Sequence, residues 1–155
     1  MSPNEALIHK FYSALQKKDA VVMKDCYHPR ATFSDPVFTD LNGDQVKAMW
    51  EMLCKNGKDL RVEFTPPKEN NGIVTTRWDA WYTFSRSGNK VHNIINAEFE
   101  FKSGVIFRHK DVFSFPRWAG MALGFPGKLF GWTGFLKNKV RKDAAGRLQE
   151  FINRK

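Results

Sequence analysis

Three residues of this chain carry the side-chain types of proton transfer: Asp35 in TFSDPVF, and His109 with Asp111 in VIFRHKDVFSF. A carboxylate takes a proton from an acidic carbon or hydroxyl, and an imidazole relays one near neutral pH. The stretch around His109 is otherwise mostly Phe, Val and Ile. Read as a strand, it puts Phe107, His109, Asp111, Phe113 and Phe115 on one face and Arg108, Lys110 and Ser114 on the other. The titratable pair therefore sits among aromatics, where an unpaired charge is costly. Two carboxylates and a histidine in one apolar cavity suit proton shuttling next to a carbonyl. The plainer alternatives are a hydrogen-bonded structural pair for His109 and Asp111, and an Asx turn opening Asp35-Pro36.

Other chemistries find no support. There is no G-x-S-x-G, phosphate-binding loop or dinucleotide fingerprint. Cys26 and Cys54 lie far apart with no metal-type histidine spacing, so both read as reduced structural thiols, and no metal or cofactor is expected. The start MSPNEALIHKFY has no secretory h-region and no 18-residue apolar window exists, so the expectation is a cytoplasmic protein. With 14 Phe and 5 Trp in 155 residues, the chain can line an apolar cavity as well as fill a core.

The elements that must position these residues follow from period and punctuation. Ser2-Pro3-Asn4-Glu5 forms a capping box for a helix over about residues 3 to 17. Asp19 caps a short second helix that His28-Pro29 closes, and a short strand then carries Thr32 to Ser34 into Asp35-Pro36. Asn42-Gly43 opens a third helix, stopped by Asn56-Gly57. From there the period changes to two: DLRVEF, GIVTTRWDAWYTFSR and KVHNIINAEFEF read as strands, with hairpin turns at Ser87-Gly88-Asn89 and Ser103-Gly104. In the third of these strands Asn93, Ile95, Ala97, Phe99 and Phe101 share a face. Trp78 and Trp81 lie on opposite faces, so one is expected to line the cavity. Helices followed by hairpin-connected strands make an α+β chain with helices over one face of a curved sheet.

The charge is uneven. The net charge is +9, and residues 116 to 155 hold 9 Lys/Arg against Asp143 and Glu150. Residues 117 to 134 are rich in glycine and aromatics, and from Phe135 onward Leu136, Val140, Ala144, Leu148, Phe151 and Ile152 trace a helical stripe opposed by Lys137, Lys139, Arg141, Lys142 and Arg147. This segment reads as a basic helical extension whose Gly-rich part is placed to cover a pocket mouth. Its partner is solvent, or a membrane surface met by residues 117 to 155. No nucleic-acid module is recognisable.

The run FYSALQKKDAVVMKDCYHPRATFSDPVF, the Gly-led third helix and the strand ending HKDVF together resemble the nuclear transport factor 2-like superfamily, in its SnoaL-like and ketosteroid-isomerase-like branches. The resemblance implies a cone, a bent antiparallel sheet wrapped by the N-terminal helices, over residues 1 to 116, with residues 117 to 155 packed on or extending it. It also implies a pocket for a small, largely apolar molecule and dimerisation through the sheet. The fold hosts isomerases, cyclases and dehydratases as well as non-catalytic carriers, so the activity must come from the site.

Asp35 matches the isomerases' general base, in their Asp-Pro after the second helix, and Asp111 looks like the acid/base aspartate of the polyketide cyclases. His109 is expected to tune or relay a proton. The isomerases' oxyanion-binding tyrosine falls at Phe11, with Tyr12 turned by roughly 100°. Their second oxyanion donor, an aspartic acid kept protonated by its apolar site, falls near Asn93. An asparagine amide donates without a raised pKa. Phe33, Trp50, Trp78 and Tyr82 complete the expected lining, with Phe107 and Phe113 from the histidine strand.

Overall fold

The computed structural model describes residues 1–155. Six helices and six strands alternate as α1 (Pro3–Gln16), α2 (Ala20–Asp25), β1 (Tyr27–Ser34), α3 (Gly43–Asn56), β2 (Arg61–Phe64), β3 (Lys68–Asn70), β4 (Ile73–Thr83), β5 (Lys90–Lys102), β6 (Val105–Val112), α4 (Phe115–Leu123), α5 (Phe125–Phe130) and α6 (Gly134–Asn153). The α1 capping box forms between Ser2 and Glu5, and Glu5 also accepts from the Glu69 N–H at 2.8 Å, tying the helix start to β3. An equivalent box between Asn42 and Gln45 opens α3. Gly43 sits against Pro29, where any Cβ would collide with the Pro29 carbonyl oxygen, so α3 packs directly on β1.

The sheet runs β1-β6-β5-β4-β2, with β3 also on β4. All pairings are antiparallel except β1, which lies parallel to β6 and sets Phe33 beside His109. β1 is longer than its sequence predicts: the chain turns from α2 straight into the strand, and His28-Pro29 lies inside it. An edge strand tolerates the missing proline N–H. The apolar face of α1, with Ile8, Phe11, Tyr12 and Leu15, packs with Trp50 of α3 on the concave sheet face, where Val74, Trp78, Ile95, Ala97 and Phe99 point inward. The convex face is polar and charge-paired, with Trp81 stacked on His92 at 4.4 Å and Arg61 over the Trp81 ring at 3.9 Å.

A β-bulge separates expectation from structure in β6. Phe101 pairs with Ile106 but Glu100 pairs with Arg108, so Phe107 is an extra residue on its strand. Ile106 is therefore fully buried, while Phe107 turns away against His28 and Lys102. Beyond the bulge the alternation resumes with His109 and Asp111 inward.

The last three helices belong to the same body. Phe115, Trp118, Ala119 and Ala122 of α4 form a second apolar cluster with Val91 and the α6 residues Leu136 and Val140. α6 then crosses to α3, where Leu148 is buried in the main core and Lys155 pairs with Glu51 at 2.7 Å. No helix is long and apolar enough to cross a membrane.

Candidate active site

Between the helices and the concave sheet face lies a cavity of about 440 Å³. Its inner wall carries Asp111, Asn93, Trp78 and Tyr82 from three neighbouring strands, because alternate residues of β4, β5 and β6 point the same way. Trp50 of α3 and Asp35 close the sides. The outer wall comes from the C-terminal extension: Trp118 of α4 and Val140, Ala144 and Phe151 of α6, with Asp143, Arg147, Glu150 and Arg154 at the mouth. Thus α6 covers the cavity, and of residues 117 to 134 Trp118 alone reaches it. The stripe read from sequence as plain packing is in part a cavity wall.

Behind Asp111 runs a directed chain of hydrogen bonds. The Trp50 indole N–H donates to the Tyr27 hydroxyl at 2.8 Å. That oxygen lies 2.8 Å from His109 Nδ1, and His109 Nε2 lies 2.8 Å from Asp111 Oδ1. In the tautomer that donates Nε2–H to Asp111, Nδ1 accepts the Tyr27 hydroxyl proton, and the Tyr27 oxygen accepts from Trp50. All four side chains are buried, and Trp50 stacks parallel to the imidazole with ring centres 6.4 Å apart. His109 is thus sealed beneath the cavity and reaches it only through Asp111.

Asp35 is both things its sequence allows. Its Oδ1 accepts from the Val37 and Phe38 N–H groups at 2.7 and 2.6 Å, an Asx turn, while the carboxyl also lines the cavity. Burial pushes its pKa up from 3.8 to about 7, helped by the negative charge of Asp111 and opposed by the two backbone N–H groups and the charge of Arg141. Arg141 is fixed nearby by donating from Nε to the Pro36 carbonyl at 2.9 Å.

Tyr82 is held by the extension. The Trp118 indole N–H donates to its hydroxyl at 2.8 Å, which leaves the phenol proton free for the cavity. Burial raises its pKa to about 12, against the Trp118 hydrogen bond and with the charge of Asp35 adding to the rise, so the group stays a neutral donor. Trp118 carries no sequence signal for this role, since it belongs to a Gly-rich stretch outside the strands.

The structure therefore brings Asp111, Asp35, Asn93, Trp50, Trp78, Tyr82 and Phe113 to the cavity surface. It does not bring Phe11, Phe33, Tyr12, Phe107 or His109 there. Phe11 and Phe33 pack edge-on against His109, at 5.9 and 4.8 Å between ring centres, and form the apolar jacket of the relay. Tyr12 is buried in the core with its hydroxyl unpartnered, and burial raises its pKa well above the usual phenol value. Phe107 is turned outward by the bulge. No group of three or more His, Cys, Asp or Glu residues comes together in metal-binding geometry.

Residues 8–109 match the SnoaL-like domain family. The chain belongs to that family. No curated protein matches the sequence. Among solved structures, the candidate polyketide cyclase IdmH from Streptomyces antibioticus is 15% identical, with a TM-score of 0.64 over 78% of this chain and 98% of its own. The candidate hydroxylase AclR from Streptomyces galilaeus is 18% identical, with a TM-score of 0.62 over 73% and 90%. An LEH-like epoxide hydrolase from M. tuberculosis is 15% identical, with a TM-score of 0.63 over 88% and 96%. These likenesses establish the cone fold. The SnoaL-like match ends at residue 109, so Asp111, Phe113, Trp118 and the α6 wall lie beyond it.

Proposed function

We propose that this SnoaL-like protein binds a small, largely apolar carbonyl compound in the cavity and moves a proton on the carbon next to that carbonyl, as an isomerase, cyclase or dehydratase does. The observation that carries the reading is the unequal pair of carboxyl groups. Asp111 is hydrogen-bonded to the buried His109, whereas burial pushes the Asp35 pKa up to about 7. Environments that push two carboxyl groups apart assign one as base and the other as acid. Asp111 takes the proton, and the electron pair of the broken C–H bond moves onto the carbonyl oxygen. The Asn93 amide and the Tyr82 hydroxyl are the donors that meet the developing oxyanion. Protonated Asp35 returns a proton at oxygen or at a second carbon, and the relay keeps Asp111 oriented throughout.

Apolar walls from Trp50, Trp78, Phe113 and Trp118 exclude water, and the volume suits a compound of a few fused or linked rings. The likeness to IdmH agrees with this choice of chemistry. The test is native mass spectrometry of protein purified from its own host, with identification of any retained small molecule. A carbonyl compound with an acidic C–H supports the reading. A retained lipid, or a ligand with no enolisable carbon, refutes it and points to the alternative of a non-catalytic carrier.

A further inference from the structure

The α4–α5 hairpin and the start of α6 show an inverted amphipathic pattern. α5 turns its glycine toward the protein: Gly127 is buried where a Cβ would collide with the Ala119 carbonyl oxygen. Its large apolar side chains face outward. Phe125, Trp132 and Phe135 are 75%, 76% and 82% exposed, and Leu129 and Phe130 are each 50% exposed. The Trp132 indole N–H is satisfied by the Leu129 carbonyl at 2.9 Å, so the ring is presented with its one polar group already paired. Five large exposed apolar side chains thus fall within eleven residues, a concentration of the kind that marks an interaction site.

Along the chain, the charges flanking this wedge are all of one sign. From Val112 to Lys142 there is no acidic residue, while Arg117, Lys128, Lys137, Lys139, Arg141 and Lys142 are basic. Asp143, the first acid beyond, is engaged by Arg86 and Arg147. A second copy of this chain would bring lysines against lysines. An anionic bilayer offers both what the rings need and what the lysines need: an apolar layer for Phe and Trp beneath a negative headgroup plane.

We propose that the Phe125–Phe135 wedge docks the protein on anionic lipid membranes. The helices flanking it supply Trp118, Val140 and Ala144 to the cavity wall, so docking holds the cavity beside the phase in which apolar compounds concentrate. The inference is independent of the proton-transfer reading, because vesicle binding reports no chemistry.

The test is co-sedimentation of the full chain with vesicles of phosphatidylcholine alone or mixed with phosphatidylglycerol. The protein is expected to partition onto the mixed vesicles, and to lose at least about tenfold in partitioning when salt is raised severalfold. Combined Phe125→Ser, Trp132→Ser and Phe135→Ser is expected to reduce partitioning at least about tenfold at low salt. These positions are solvent-exposed, so thermal melting of the variant should match wild type. Lys128→Gln with Lys139→Gln and Lys142→Gln, a second variant outside the packed core, should weaken binding and flatten its salt dependence. Absence of binding to anionic vesicles, or binding unaffected by either variant, overturns the proposal. So does a concentration-dependent dimer that the serine variant abolishes in the absence of vesicle binding, which would make a second copy the occupant.

Discussion

Replacing Asp35 with Asn should stabilise the protein as the pH rises, because the native carboxylate is formed at a cost. The variant keeps the Asx turn: its Oδ1 still accepts from the Val37 and Phe38 N–H groups. Folding raises the carboxyl pKa to about 7 from 3.8, so the native state binds the proton more tightly than the unfolded chain. Native stability is then greatest below the unfolded value and falls as pH rises toward the folded one. The slope through this window is about 1.4 kcal/mol per pH unit, so between about pH 5 and about pH 7 wild type should lose roughly 2–3 kcal/mol relative to Asp35→Asn. Above the folded pKa the difference should level off. Urea unfolding of both proteins across this range measures it, and titrations common to the two cancel in the comparison. A stability difference that stays constant with pH within about 0.5 kcal/mol would refute the assignment of Asp35 as the protonated partner.

Tyr27→Phe removes the hydroxyl that serves both Trp50 Nε1 and His109 Nδ1, leaving two buried polar atoms unpaired. At about 1–3 kcal/mol per unpaired group, the variant should lose roughly 2–6 kcal/mol, seen as a fall in melting temperature of roughly 4–24 °C; an unchanged melt contradicts the relay. Gly127→Ala forces a methyl group into the Ala119 carbonyl and should destabilise by about 1–3 kcal/mol, read by urea unfolding, whereas Gly146→Ala, open to solvent in the interior of α6, should instead stabilise by about 0.5–1 kcal/mol.

Much of the scaffold was legible because its signals are local. The capping box at Ser2, the Asn42-Gly43 start of the third helix, the stop at Asn56-Gly57 and the hairpin turns each depend on neighbours a few residues apart. The inward faces of β4 and β5 followed from simple alternation. Alternation misled at Phe107, since a bulge changes the pairing without a mark in the sequence of the bulged strand. It also placed His109 on the right face but not at the right depth. Burial beneath Asp111 is set by Phe11, Phe33 and Trp50, which arrive from three separate elements. Tyr27 was missed for the same reason: its partner His109 is 82 residues away, and the two meet only because β1 lies parallel to β6. The cavity's outer wall was the least legible part, since Val140, Ala144 and Phe151 look the same in sequence whether they face a packed core or a lined space.

The most direct test of proton transfer in this cavity is exchange at carbon. Wild type and Asp111→Asn are each loaded with the carbonyl compound retained on purification, in heavy water, and the ligand mass is followed with time. Deuterium is expected at the carbon beside the carbonyl with wild type, and exchange at least about a hundredfold slower with Asp111→Asn while the ligand remains bound. Equal exchange in both proteins, or none in wild type, would contradict Asp111 as the base.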